Sequence, residues 1–198
     1  MKLILASSSP RRREILGWAG VPFTVCVSDA DETLKAGTAP VDAVVMLAER
    51  KGAAVLAAHP EYSNEDTFIL SADTVVDADG VILGKPRSPE DAAVMLRAVS
   101  GREHRVHTGI CLLHNGTAAS CSETSRVRVD ALSEADIAWY TSTKEPYDKA
   151  GSYAIQGLFS RYINGIVGDY FNVMGLPVHA VSVLLRTRFG LSLSDFSE

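Results

Sequence analysis

One carboxylate in this chain is not accounted for by packing. Asp73, in Ser71-Ala72-Asp73-Thr74, interrupts an otherwise apolar run. Strands disfavour Asp, and a carboxylate among core residues needs a cation, a metal or hydrogen-bond donors. Asp73 is therefore the leading catalytic candidate, the plainer alternative being a strand-end Asp that caps a neighbouring turn. A second candidate is Ser7-Ser8-Ser9-Pro10-Arg11-Arg12-Arg13. A small-residue loop there feeds a helix N-terminus, whose free N–H groups and dipole favour anions. Three arginines in that first turn oppose the dipole. A bound phosphate would remove the conflict, as would pairing with surface carboxylates. Lys51 falls on the apolar face marked by Val44, Ala48 and Val55. A Lys there either snorkels to the edge or points into a cleft.

Two further segments stand out. Lys85, in Gly84-Lys85-Pro86, follows Asp73 by about a dozen residues, and a hairpin would return it to the same end of the sheet. Lys149-Ala150-Gly151-Ser152-Tyr153-Ala154-Ile155-Gln156-Gly157 brackets small residues between glycines. Such a run lets backbone approach a ligand closely. The Gln156 amide pairs one donor with one acceptor, matching the O4 and N3–H edge of uracil or thymine. A surface Lys at a turn and a Gly-rich bend are the alternatives.

These residues need elements to position them. Leu3 to Ala6 reads as a buried strand. Ser9 as N-cap, Pro10 at the first helical position and Gly20 as stop predict a helix over Pro10 to Ala19. A second helix follows Pro40 and runs to about Ala58. Phe68 to Val76 is a strand, turned by Asp79-Gly80 into Val81 to Leu83. Ser88-Pro89-Glu90-Asp91 opens a helix that Gly101 ends. Arg105 to Leu113 and Thr124 to Val129 are strands around an Asn115-Gly116 turn. Ser133 to Thr141 is a helix, Leu158 to Ile163 a strand, and Pro177 to Arg188 the last helix. Ser192 to Glu198 reads as a frayed polar end. Strands and helices mix without strict alternation, so the fold class is α/β with a mixed sheet flanked by helices.

Composition narrows the function classes. The chain has 198 residues, 46% hydrophobic and 22% charged, as expected of one globular domain. No apolar run approaches the roughly 20 residues of a membrane span. A net charge of −5 gives no general attraction to nucleic acid. Three cysteines without a CxxC pair suit reduced thiols in the cytoplasm. Phosphate-loop, dinucleotide-loop, GxSxG and HExxH motifs do not occur. His104 and His107 lie along a strand facing opposite ways, which disfavours zinc chemistry.

Taken in order, seven segments resemble the Maf family of nucleoside triphosphate pyrophosphatases. They are Leu5-Ala6-Ser7-Ser8-Ser9-Pro10-Arg11-Arg12, Asp31-Glu32-Thr33, Leu47-Ala48-Glu49-Arg50-Lys51, Ser71-Ala72-Asp73-Thr74-Val75, Gly84-Lys85-Pro86, Ala150 to Gly157 and Gly175-Leu176-Pro177. The resemblance runs from Leu3 to about Leu185. It implies a single domain over residues 1–198, built as two lobes on a long twisted mixed sheet with a central nucleotide cleft, similar to inosine-triphosphatase-like folds. It also implies a homodimer and a divalent cation, Mg²⁺ with Mn²⁺ or Co²⁺ as substitutes. The implied reaction converts a nucleoside triphosphate to its monophosphate and pyrophosphate.

The implied roles follow residue by residue. Asp73 is general base or metal ligand, and Glu32 is the second metal carboxylate. Lys51, Lys85, Arg11 and Arg12 neutralise phosphate. Ser7 and Ser9 cradle it, and Thr74 and Gln156 read the base. Arg11, Thr74 and Gln156 match the dTTP/UTP branch, whereas the branch for methylated guanine nucleotides carries Trp, Gln and Glu at those places. Three alternatives remain: a nucleotide-binding regulator of cell division with little catalysis, a pyrophosphatase for other modified nucleotides, and a nucleotidyl or phosphosugar transferase. The last would need an acceptor site, and no segment must serve as one. One departure is Arg50-Lys51-Gly52 where Glu-Lys-Ala is usual. A helical Gly costs about 1 kcal/mol against Ala.

Overall fold

The computed structural model of the chain describes residues 1–27 and 29–197. The chain opens with β1 (Lys2–Leu5), α1 (Pro10–Trp18), β2 (Thr24–Val25), α2 (Pro40–Ala58) and β3 (Thr67–Ala78). β4 (Val81–Leu83), α3 (Pro89–Val99), β5 (Glu103–His114) and β6 (Thr117–Val129) follow. The chain then runs through α4 (Glu134–Thr141), β7 (Ile163–Val167), α5 (Tyr170–Met174) and α6 (Val178–Phe189). The strands form one seven-stranded mixed sheet in the order β2-β1-β3-β5-β6-β7, with β4 added to β3. β1 runs parallel to β2 and β3, whereas β4 and β7 pair antiparallel with their neighbours. The expected α/β class with a mixed sheet and flanking helices is what the chain adopts.

Contacts divide the chain into two compact units. One comprises residues 1–73, 108–123 and 175–198, the other 74–107 and 124–174. Strands β3, β5 and β6 each lend part of their length to both. In the first unit, Ile4, Ala6, Val55 and Ile69 form a buried cluster between sheet and α2. Gly109 of β5 lets α2 come close: a Cβ there would lie 2.2 Å from the Val44 carbonyl oxygen. In the second unit, Val76, Leu96, Val106, Val127, Ile137, Tyr140, Tyr153 and Phe159 build the core.

Start and stop signals explain the helices. Pro occupies the first turn of α1, α2 and α3, and the Ser88 side chain caps α3 by accepting from the Asp91 N–H. Ser133 and Asp136 form a complete capping box on α4. Gly190 closes α6 in the left-handed region. Asn115 and Gly116 both have positive φ, 44° and 76°, which makes the two-residue β5–β6 turn.

Four expectations are corrected. Leu158–Tyr162 is a 3-10 helix, and the strand begins only at Ile163. The second hairpin strand starts at Thr117, not Thr124. β3 runs on to Ala78, two residues past the expected end at Val76. The chain end is not frayed. Leu193–Asp195 is a 3-10 turn, and Phe196 is buried edge-on against Phe68. Glu198, part of that expectation, lies outside the described residues.

Candidate active site

In the first unit, β1 delivers the chain into the Ser7-Ser8-Ser9 loop and then α1. The Ser7 hydroxyl is buried, and its oxygen accepts from the Ser9 N–H at 3.2 Å and from Arg12 Nη1 at 3.0 Å. Ser9 stands at the N-cap of α1 without a side-chain capping bond. Arg11 is half-buried at the second helical position. Arg12 is buried, and its Nε donates to the Gly175 carbonyl at 2.7 Å. Burial lowers the pKa of the Arg12 guanidinium, and the nearby Asp73 and Glu32 carboxylates oppose that fall. The basic first turn is therefore more than a solvated surface: one of its arginines is packed inward.

Lys51 does not snorkel. Its side chain is only 14% exposed, and its Nζ donates to Asp73 Oδ1 at 2.5 Å while pairing with Glu32 Oε1 at 2.9 Å. The helical spacing that put Lys51 on the inner face of α2 explains this. From that face the four-carbon stem reaches the neighbouring strand β3. Arg50, one residue earlier, donates to the carbonyls of Asp31 and Thr33. Adjacent residues of α2 thus hold the carboxylate loop by its backbone and by its Glu32 side chain. Gly52 has its own reason: a Cβ there would lie 2.8 Å from Leu113 Cδ1 and 2.9 Å from Ser71 Oγ. Ser71 cannot easily yield, because its hydroxyl donates to the Ala48 carbonyl at 2.6 Å.

The convergence of Asp73 and Glu32 on one ammonium bears on metal binding. Two carboxylates that reach a single cation can reach another, and hard oxygen donors suit Mg²⁺. No cluster of three or more His, Cys, Asp or Glu side chains suited to a metal occurs among the described residues. Two carboxylates with the remaining positions left to substrate oxygens and water is the usual arrangement for Mg²⁺. The residues present fit such a cation.

In the second unit, Thr74 directly follows Asp73 along β3 and is half-buried. The β3–β4 register pairs Val76 with Leu83. β4 ends there, and Lys85 follows two residues beyond it. Lys85 is exposed. The carbonyl of its neighbour Gly84 accepts from the Gly151 N–H at 3.0 Å, which fixes the Gly151 segment beside β4. Gly151 has φ 68°, and a Cβ there would meet the Val76 side chain at 2.7 Å, so both conformation and space demand glycine. Gln156 is exposed at the end of this irregular stretch.

Glu145 escapes sequence reasoning altogether. Its Oε1 accepts from the Tyr140 hydroxyl at 2.9 Å and the Phe159 N–H at 3.1 Å, and its Oε2 from the Leu158 N–H at 2.8 Å. Only Glu145's own hydrophilicity was visible in the sequence, since its two backbone partners lie 13 and 14 residues on. The Gly175 carbonyl was missed for the same reason, its arginine being 163 residues away.

No helix among the described residues is long and apolar enough to cross a membrane. A family model described as Maf-like protein matches residues 2–188. A protein of Halalkalibacterium halodurans named dTTP/UTP pyrophosphatase is 45% identical over 195 residues, covering 98% of this chain and 97% of its own. Proteins of the same name from Pyrococcus abyssi and Symbiobacterium thermophilum are 46% and 44% identical. They cover 94% and 96% of this chain and 96% and 94% of their own lengths. Among solved structures, the Staphylococcus aureus Ham1 protein reaches a TM-score of 0.44 at 12% identity, over 65% of this chain and 72% of that one, too low to carry the fold. With a family model spanning nearly every residue and relatives near 45% identity end to end, the chain belongs to the Maf family.

Proposed function

We propose that this chain hydrolyses dTTP and UTP to the monophosphate and pyrophosphate. The observation that carries the chemistry is the Lys51 ammonium held between Asp73 and Glu32, with the buried Arg12 close by. The substrate reading is supported by relatives near 45% identity that bear the name dTTP/UTP pyrophosphatase.

Water attacks the α-phosphorus, a new P–O bond forms, and the bond to the β-phosphate bridging oxygen breaks with its electron pair leaving on pyrophosphate. Such transfers depend on positioning and charge neutralisation more than on covalent help. Asp73 serves either as the base that takes the proton of the water or as a cation ligand together with Glu32. A divalent cation held by Asp73 and Glu32 would supply charge neutralisation to the phosphate oxygens. Lys51, Arg11, Arg12 and Lys85 carry the remaining positive charge toward the phosphates, and Ser7 and Ser9 with the α1 N-terminus offer hydrogen-bond donors. Thr74 and Gln156 read the pyrimidine edge. The family resemblance supports one two-lobed domain over residues 1–198, working as a homodimer. The unpaired cysteines suit the cytoplasm.

The test is pyrophosphate release with Mg²⁺ across all standard NTPs and dNTPs, for wild type and Asp73→Asn. Release greatest from dTTP and UTP, and about a thousandfold lower in the variant, is the expected result. Equal release from every nucleotide, or wild-type turnover in Asp73→Asn, would overturn the reading. A Mg²⁺ titration of residual activity separates the two roles of Asp73. A ligand role raises the metal midpoint, and a base role leaves it unchanged.

A further inference from the structure

We propose that Glu145 is a positioning residue for base selection, acting by fixing the backbone on which Gln156 is mounted. This rests on the reading of Gln156 as the base-reading side chain. The turn after Gln156 begins a 3-10 helix at Leu158, with Gly157 at its N-cap. The first N–H groups of any helix lack internal acceptors. Local capping by Ser, Thr, Asp or Asn is the usual remedy, and Gly157 has no side chain to offer. The Glu145 carboxylate fills that role from another segment, Oε2 taking Leu158 N–H and Oε1 taking Phe159 N–H.

The carboxylate is itself anchored. Tyr140 is fully buried and donates its hydroxyl to Oε1. Its ring packs on Phe159 at 5.1 Å between centroids, so one core pair holds both the carboxylate and the turn it caps. Glycine at 157 is part of the same device. Its φ of −110° is ordinary, yet a Cβ would lie 2.1 Å from Glu145 Oε2. The carboxylate occupies the space that any other residue would need. Gln156 is thus mounted next to a peptide group whose position is set on one side by this carboxylate and on the other by the buried Phe159 ring.

Glutamine at 145 tests the idea sharply. It keeps shape and length but has one oxygen where three N–H and O–H donors converge. Its NH₂ would face the Leu158 N–H, donor against donor. The experiment compares kcat and KM for dTTP, UTP and GTP in wild type, Gln156→Ala, Glu145→Gln and Gly157→Ala, with amide exchange followed at Leu158 and Phe159. The expected result is a KM for dTTP and UTP at least tenfold higher in Glu145→Gln and Gly157→Ala, with kcat within threefold. GTP kinetics stay unchanged, the pyrimidine preference narrows as in Gln156→Ala, and exchange at the two amides accelerates at least tenfold in Glu145→Gln. A pyrimidine preference kept within twofold in Glu145→Gln overturns the proposal. So does an equal loss of kcat on all three nucleotides, which marks a purely structural role. If Glu145→Gln does not fold, Gly157→Ala alone decides by the same criteria. If Gln156→Ala itself leaves the preference intact, the base-reading assignment has failed, and the role of Glu145 falls with it.

Discussion

The two compact units hold their key carboxylates in different ways. In the first, charge answers charge. Lys51, Asp73 and Glu32 form a three-member ion pair, with the Arg12 guanidinium buried close by. In the second, hydrogen bonding does most of the work. The Glu145 carboxylate takes two backbone N–H groups and a phenol, and the buried His104 Nε2 meets the Tyr153 hydroxyl at 2.7 Å. An ammonium held between two carboxylates fixes charged groups at one place, and such positioning suits phosphate chemistry. Neutral donors around a carboxylate fix backbone geometry without creating a strong field, which suits selection by shape and hydrogen bonding. Both devices rest on residues that a composition count would class as surface.

The largest effect expected from breaking this contrast is Lys51→Met. It leaves Asp73 nearly buried without its ammonium. We expect turnover to fall at least about a hundredfold and stability to drop by about 2–3 kcal/mol, discounted from a fully buried pair for the partial exposure of both groups. Unchanged turnover, read by pyrophosphate release, would show that the ion pair is only structural. The second unit answers to pH instead. Burial depresses His104 to about 4 from 6.5, despite an opposing pull from Asp77. Its Nδ1 finds no partner among the described residues. Between those values the unfolded chain binds more protons than the folded one. This contribution is therefore complete above pH 6.5, declines as pH falls toward 4, and is lost below it. It amounts to about 3 kcal/mol. Denaturant unfolding at pH 7 and pH 4.5 should show a shallower fall in His104→Gln than in wild type, and identical slopes would refute the assignment. The smallest effect sharpens the packing side. Gly52→Ala should gain about 1 kcal/mol from helix propensity. We expect a net loss of about 1 kcal/mol instead, because overpacking against Ser71 and Leu113 outweighs it. A higher Tm would show that this face of α2 can yield.

Much of this was legible in the sequence because it is local. Pro, Ser and Gly punctuation located five of the helices, and the 3.6-residue period put Lys51 on the inner face of α2. Asp73 was conspicuous because an acid inside an apolar strand has so few ways to be tolerated. The misreadings share a cause. Leu158 to Ile163 has the aromatic and branched residues of a strand, yet its first residues curl into a 3-10 turn because a carboxylate from Glu145 takes their N–H groups. Phe196 looked like part of a polar tail until a ring from β3 was found beneath it. Arg12 was placed correctly in a basic turn, but its burial on the Gly175 carbonyl joins residues far apart in the chain. Periodicity and caps report neighbours in sequence; these outcomes depend on neighbours in space.

Gly109 has a consequence for the site that no charge argument contains. It sits in a strand with unremarkable backbone angles, so conformational freedom is not its purpose. Its missing side chain lets the Val44 turn of α2 rest directly on β5. That contact sets the height of the helix above the sheet, and Lys51 rides two turns further along the same face. The reach of its ammonium to Asp73 is thus gauged by the thickness of a hydrogen atom on another strand.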